Sequence, residues 1–209
     1  MSSAAYWDRE AASYDRRTAF LERRLLAPAR AWAAERVRGR TLEVAIGTGA
    51  NLPYYAARAT SVTGVDLSAE MLAASARRAA DLDVSIELLR ADVAALPFEP
   101  ASFDTVLCTF ALCGVDDERA ALREMGRVLR PGGRVVVADH VVSSAAAFRL
   151  LQRLLDATAA RESGEHHRRR PVLVVPDAGL VVQEQEAGRF RLVERFVAVR
   201  QPAPGAPPG

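Results

Sequence analysis

The chain contains no lysine; its 28 basic residues are all arginine and stand against 26 acids. That absence excludes the phosphate-binding loop G-x-x-x-x-G-K-[ST], which needs a lysine on the phosphates. The net charge is only +2, with the two signs interspersed, so no polyanion-binding face is expected and nucleic acid is not an expected partner. Cysteine is scarce. Cys108 and Cys113 share one apolar run and form neither a C-x-x-C pair nor a disulfide framework, which suits a reducing cytoplasm. No apolar run approaches the roughly 20 residues that span a bilayer. The opening "MSSAAYWDRE" carries acids where a signal peptide has its apolar segment. A soluble cytoplasmic protein is expected, monomeric or homodimeric, with peripheral lipid contact as its only membrane association. At 209 residues, half of them apolar, the chain can bury the core of one domain.

Residues 4–37 are rich in Ala, Arg and Leu at helical spacing and predict a helical arm over 1–38, interrupted near Pro28. From Thr41 the texture changes to short apolar runs alternating with amphipathic stretches. "TLEVAI", "SVTGVD", "VSIELLRAD", "FDTVLCTFAL" and "RVVVADHVV" read as strands. "NLPYYAAR", "SAEMLAASARRAA" and "DDERAALREMGRVL" read as the helices between them, the second opened by Ser68 as N-cap. This alternation predicts an α/β fold: a doubly wound, Rossmann-like seven-stranded sheet, mostly parallel, with helices on both faces. "LVVQEQEA" and "FRLVERFVAV" around Gly188 add a C-terminal antiparallel hairpin. "VLVVPDAG" fits either a strand or a short helix ending at Gly179. Residues 1–200 are expected as a single domain, with a core over 40–140 and a substrate-side insertion over 141–170. The tail 201–209, "QPAPGAPPG", has the composition of a disordered end.

Ligands of such sheets bind outside the carboxyl ends of the strands. After the first strand come Gly47, Thr48 and Gly49, leading into a helix; glycines there bring backbone close under a ligand. A dinucleotide fingerprint begun at Gly47 would need glycine at position 52, which is Leu52, so NAD(P) is disfavoured. Glu43, two residues before Ala45, would repel a pyrophosphate and attract an ammonium or sulfonium. Asp66 ends the second strand, where an acid can accept from both ribose hydroxyls. Asp92 ends the third and can accept from an adenine amino group, with Leu67, Met71 and Val93 placed to sandwich the base. Together these point to a cationic nucleoside.

In order and spacing, "LEVAIGTGANLPYY", "VTGVDLSAEMLAASARR", "ADVAALPFEPASFDTVLCTFALCGVDD" and "EMGRVLRPGGRVVVADH" resemble the cofactor motifs of class I S-adenosylmethionine-dependent methyltransferases. The closest likeness is the small-molecule branch similar to ubiquinone/menaquinone-biosynthesis enzymes. Weaker similarity through "RLLQRLLDATAARESGEHHRRRP" looks like a subgroup with alkyl-thiol and lipid-type enzymes. The resemblance implies S-adenosyl-L-methionine as cofactor and methyl transfer to an O, N, S or C nucleophile. It implies that Glu43, Gly47 and Gly49 line the methionine part, Asp66 the ribose, and Asp92 with Val93 the adenine. Thr109 and Phe110 would pass beside the sulfonium, and Tyr14 would close over the cofactor. The family usually has glycine at Ala45 and a histidine near Cys113.

A hydroxyl or carbon acceptor needs a base, and His140, beside Asp139 at the end of the fifth strand, is the best-placed candidate. His166 and His167 adjoin Glu165, but neighbouring histidines point apart and no third ligand stands at usable spacing, so no metal is expected. Arg168, Arg169 and Arg170 read as a solvated turn or as a contact for an anionic acceptor or lipid surface. Cys113 reads as a core residue rather than a nucleophile. Tyr6, Trp7, Tyr54 and Tyr55 fall at or near the expected cleft, or pack the arm and the first crossover helix. Ala45 costs little in its turn provided its φ is negative. Two other readings remain: an NAD(P)-dependent oxidoreductase, and a protein that binds S-adenosylmethionine without transferring its methyl group.

Overall fold

Seven strands form one sheet in the order β3-β2-β1-β4-β5-β7-β6 in the computed structural model, which describes residues 3–159 and 169–200. The strands are β1 Gly39–Val44, β2 Ala59–Asp66, β3 Glu87–Arg90, β4 Phe103–Thr109, β5 Leu129–His140, β6 Leu180–Ala187 and β7 Val193–Arg200. The first five are parallel; β7 runs antiparallel between β5 and β6. The hairpin therefore closes the sheet through its second strand. Four residues, Arg130 to Gly133, bulge out of the β4–β5 ladder between the pairs Phe103↔Leu129 and Thr105↔Arg134, which accommodates the Pro-Gly-Gly turn inside β5.

Period-two alternation feeds two cores. Leu42, Val44, Val106, Val135 and Val137 face one side, under Leu122 and Met125 of α5 (Glu118–Val128) and Val175 of a 3₁₀ helix, Pro171–Ala178. Leu107, Val136 and Val197 face the other, under Trp32 and Ala33 of α2 (Ala27–Ala34), Leu52 and Tyr55 of α3 (Leu52–Tyr55) and Ala79 of α4 (Ala69–Asp81). Both faces are covered, which is why the central strands read as near-continuous apolar runs. The ambiguous "VLVVPDAG" is the 3₁₀ helix, stopped by Gly179 at φ +69°.

The arm begins with α1 (Ser3–Leu21) and continues through a π-helical turn, Glu22–Leu26, into α2. The chain stays helical past Pro28, which sits in the first turn of α2, and the expected break takes the form of the widened turn before it. Ser68 caps α4 by accepting from Met71 N at 3.1 Å, and Asp117 caps α5 by accepting from Arg119 N and Ala120 N, both at 2.9 Å. The helix α6 spans Ala146–Ala159 within the expected insertion. His166, His167 and Arg168, and the tail expected to be disordered, lie outside the described residues.

Candidate functional site

The order of strand addition reverses between the parallel neighbours β1 and β4, which leaves a crevice outside their carboxyl ends. A cavity of about 210 Å³ opens there. It is lined by Gly47, Asp66, Leu67, Met71, Asp92, Val93, Thr109 and Phe110, with Tyr14 contributed by α1. Residues separated by up to 96 positions thus share one wall, because each follows a strand or stands on the arm. Trp7 also lines it, edge-on to Tyr14 with 6.1 Å between ring centroids. The arm is held down at two points. Asp15 Oδ1 accepts from Thr48 Oγ1 at 2.8 Å and Asp8 Oδ1 from Ser68 Oγ at 2.5 Å.

At the first turn, Gly47 has φ +57° and nothing within 4 Å of the place a Cβ would take, so its backbone borders open cleft. Asp66 braces this turn: Oδ2 accepts from Gly47 N and Oδ1 from Ser68 N, each at 2.9 Å. One lone pair on each oxygen remains for a ligand hydroxyl. Asp92 is fixed less tightly, with Oδ1 accepting from Ala94 N at 2.8 Å.

A family model described as a methyltransferase domain matches residues 42–137. Over that stretch the chain is similar to class I methyltransferase domains. A phosphatidylethanolamine N-methyltransferase from Cereibacter sphaeroides is 40% identical over 104 residues, covering 49% of this chain and 51% of that protein. A demethylmenaquinone methyltransferase from Renibacterium salmoninarum is 40% identical over 129 residues, 59% of this chain and 53% of that one. The chain thus spans about half the length of these curated relatives. Among solved structures, an S-adenosylmethionine-dependent methyltransferase from Thermotoga maritima superposes with a TM-score of 0.73 at 19% identity, over 94% of this chain and 99% of that one. That likeness concerns the fold.

Three expectations for residues 43–49 are corrected by the structure. Glu43 does not line the cleft: it is 1% exposed, and its carboxylate accepts from Asn51 Nδ2 at 2.5 Å and Tyr55 Oη at 2.6 Å. Its parity is the reason. Leu42 and Val44 face one core, so Glu43 turns to the other, beneath α3 and the arm. Gly49 is also absent from the lining; with φ +74°, its Cβ would stand 2.8 Å from Ser75 Oγ and 2.9 Å from Leu52 Cδ1, so it serves the packing of α4 against the turn. Ala45 adopts φ +50°, so the condition under which it would cost little is not met. Its methyl group therefore carries strain of about 1–2 kcal/mol. Ala45→Gly should raise stability by about 0.5–1 kcal/mol after the added chain entropy of glycine, seen as a thermal midpoint about 2–3 °C higher.

Arg30 is the cleft residue the sequence reading missed. On α2 it is 5% exposed, donates from Nη1 to Asn51 Oδ1 and Thr109 Oγ1 at 2.9 Å each and from Nε to Glu22 Oε1 at 2.9 Å, and its guanidinium lies 5.0 Å from the Phe110 ring centroid. Glu43 thus reaches the cleft only through Asn51, Thr109 and Arg30. Burial pushes its carboxyl up to about 7, with hydrogen bonds from Tyr55 and Asn51 and the nearby Arg30 charge acting against the rise. An arginine in an apolar helical face, "APARAW", was the available signal.

The remaining candidates divide. His140 ends β5 and is not among the cleft residues; its ring packs against Phe110 at 4.9 Å between centroids. Phe110 itself has φ +54°, a strained conformation for a bulky residue. Cys113, expected in the core, is 1% exposed yet lines the cleft. Arg169 donates to the carbonyls of Leu112, Val115 and Asp116, and Arg170 binds Glu194 at 2.7 Å, so both support the fold instead of forming a solvated turn. Tyr55 packs under the sheet with its hydroxyl on Glu43, while Tyr54 is exposed.

Proposed function

We propose that the protein is an S-adenosylmethionine-dependent methyltransferase, working in the cytoplasm, that methylates a small-molecule acceptor. The observation that carries this reading is Asp66 beside Gly47: a braced carboxylate with free lone pairs next to backbone that borders open space. In it Asp66 binds the ribose hydroxyls and Asp92 the adenine amino group, with Leu67, Met71 and Val93 against the base. Arg30 takes the α-carboxylate, and Thr109 and Phe110 border the sulfonium. Glu43 acts as a positioning residue by holding Asn51, and Tyr14 and Trp7 of the docked arm exclude water.

S-adenosylmethionine supplies a methyl group already activated on a sulfonium. The chain's task is therefore to place the acceptor in line and keep the site dry. His140 is not in the cleft lining, which favours an acceptor that needs no base, such as a thiolate or a neutral amine. The acceptor enters at the rim formed by Val115 and Asp116, whose carbonyls Arg169 clamps from the end of the 141–170 segment. The relatives named for phosphatidylethanolamine and demethylmenaquinone support an amphipathic acceptor. Among the described residues no helix is long and apolar enough to cross a membrane.

Calorimetric titration with S-adenosylmethionine, with NADH in parallel, tests the cofactor; saturable binding of the first alone is expected. No binding at millimolar concentration would sink the reading. A radiolabelled methyl-transfer screen over thiols, amines, phenols and quinols then separates an enzyme from a protein that only holds the cofactor.

A further inference from the structure

Cys113 lies far in sequence from the neighbours Asp139 and His140, but the three meet at the carboxyl edge of β4 and β5. Thr109 pairs with Ala138 across those strands, so the turn after β4, Leu112–Gly114, folds over the end of β5. One ligand-type atom from each of the three side chains lies within 4.8 Å of the others. Asp139 is 1% exposed and held rigidly: Oδ2 accepts from Cys113 N at 3.1 Å and Oδ1 from His140 N at 2.7 Å, and the Cys113 thiol also bonds the carboxylate. Glu194, at 2% exposed almost as deeply buried, is paired with Arg170. Among the described residues no arginine forms an ion pair with Asp139. A buried carboxylate without a cation, beside a thiol and an imidazole, is an arrangement that a metal ion completes.

We propose that Cys113, Asp139 and His140 are three ligands of a thiophilic divalent metal of the Zn²⁺ class, with the fourth position open to the cleft. The donor set decides the metal class: thiolate, imidazole and carboxylate suit Zn²⁺ and exclude the all-oxygen preference of Mg²⁺ and Ca²⁺. Ligands about 2.0–2.3 Å from a tetrahedral ion stand roughly 3.5 Å apart, so side-chain rotations of about 1 Å close the site. Cys113 lines the cleft and gives the ion a path in. Binding replaces the thiol proton, which leaves to solvent. The sequence reading expected no metal because it looked for ligands at short spacing, whereas these converge through strand pairing. The inference does not depend on the methyl-transfer reading.

The test uses the full chain, stripped with a chelator and titrated with Co²⁺ and then Zn²⁺. One equivalent of Co²⁺ should bind with a thiolate charge-transfer band, and Zn²⁺ should displace it. Cys113→Ser should abolish the band, and both it and His140→Ala should weaken Zn²⁺ binding by at least about 100-fold. Cys108→Ala and the double change His166→Ala/His167→Ala should leave binding intact. Circular dichroism and S-adenosylmethionine titration of each variant show whether the fold and the cleft survive, so failure of the metal site and failure of the methyl-transfer reading are told apart. No band in the unmodified chain, a band that persists in Cys113→Ser, or Zn²⁺ binding lost with His166 and His167 overturns the proposal.

Discussion

Asp66→Ala should weaken S-adenosylmethionine binding by more than about 100-fold in calorimetric titration, because two charge-assisted hydrogen bonds to ribose hydroxyls are together worth about 3–4 kcal/mol. The same change removes the acceptors of Gly47 N and Ser68 N, so the turn and the start of α4 loosen as well. Asp66→Asn is not a conservative control here. Both carboxylate oxygens already accept from backbone N–H groups, so either orientation of an asparagine amide points its NH₂ at a donor. It should cost about 1–3 kcal/mol of stability by urea unfolding and lose affinity too. Binding by Asp66→Ala within threefold of the unmodified protein would contradict the ribose role and move the ligand elsewhere in the cleft.

What could be read from the sequence follows from what strand order alone determines. Asp66, Asp92, Thr109 and Phe110 each stand at or just after a strand end, and in an open α/β sheet that address suffices to place them on one crevice. Tyr14 came from resemblance, and the structure sets it on the cleft through an arm whose docking acids, Asp8 and Asp15, carried no signal of their own. Glu43 was placed by its distance from Gly47 along the chain. The deciding fact was its parity within β1, which sends it to the face opposite Leu42 and Val44. Gly49 was assigned to the ligand although its neighbour is Ser75, a contact made only once α4 packs back on the turn. Ala45 costs little only at negative φ, and the tertiary turn holds it at +50°. Cys113 and His140 were judged separately, and no spacing rule links them. The β4–β5 register does.

Stability of the ligand-free protein should fall as pH rises from about 4 to about 7, and two buried carboxyls, Glu43 and Asp139, are the cause. Burial raises both in the folded protein to about 7, from 4.5 for Glu43 and from 3.8 for Asp139. A raised carboxyl binds its proton more tightly when folded than when unfolded, so its contribution is fully present below the unfolded value and is lost as pH climbs through the folded one. For Glu43 the rise corresponds to about 3 kcal/mol. Glu43→Gln should remove its share of the decline and leave that of Asp139, since the amide oxygen still accepts from Asn51 and the NH₂ donates to the Tyr55 hydroxyl, but the side chain cannot ionise. Arg30→Met should act in the opposite sense. Without the guanidinium the ionised Glu43 has no nearby compensating charge, so its proton is held to higher pH and the decline continues above 7. The deficit of Arg30→Met should be about 1–2 kcal/mol at pH 5, where the hydrogen bonds to Asn51, Thr109 and Glu22 are lost, and about 3–4 kcal/mol at pH 8. Adding Glu43→Gln to Arg30→Met should recover most of the difference at pH 8 and little at pH 5. A deficit independent of pH would show that Arg30 serves only Glu22 and Thr109, and that the Glu43 charge is compensated by another route.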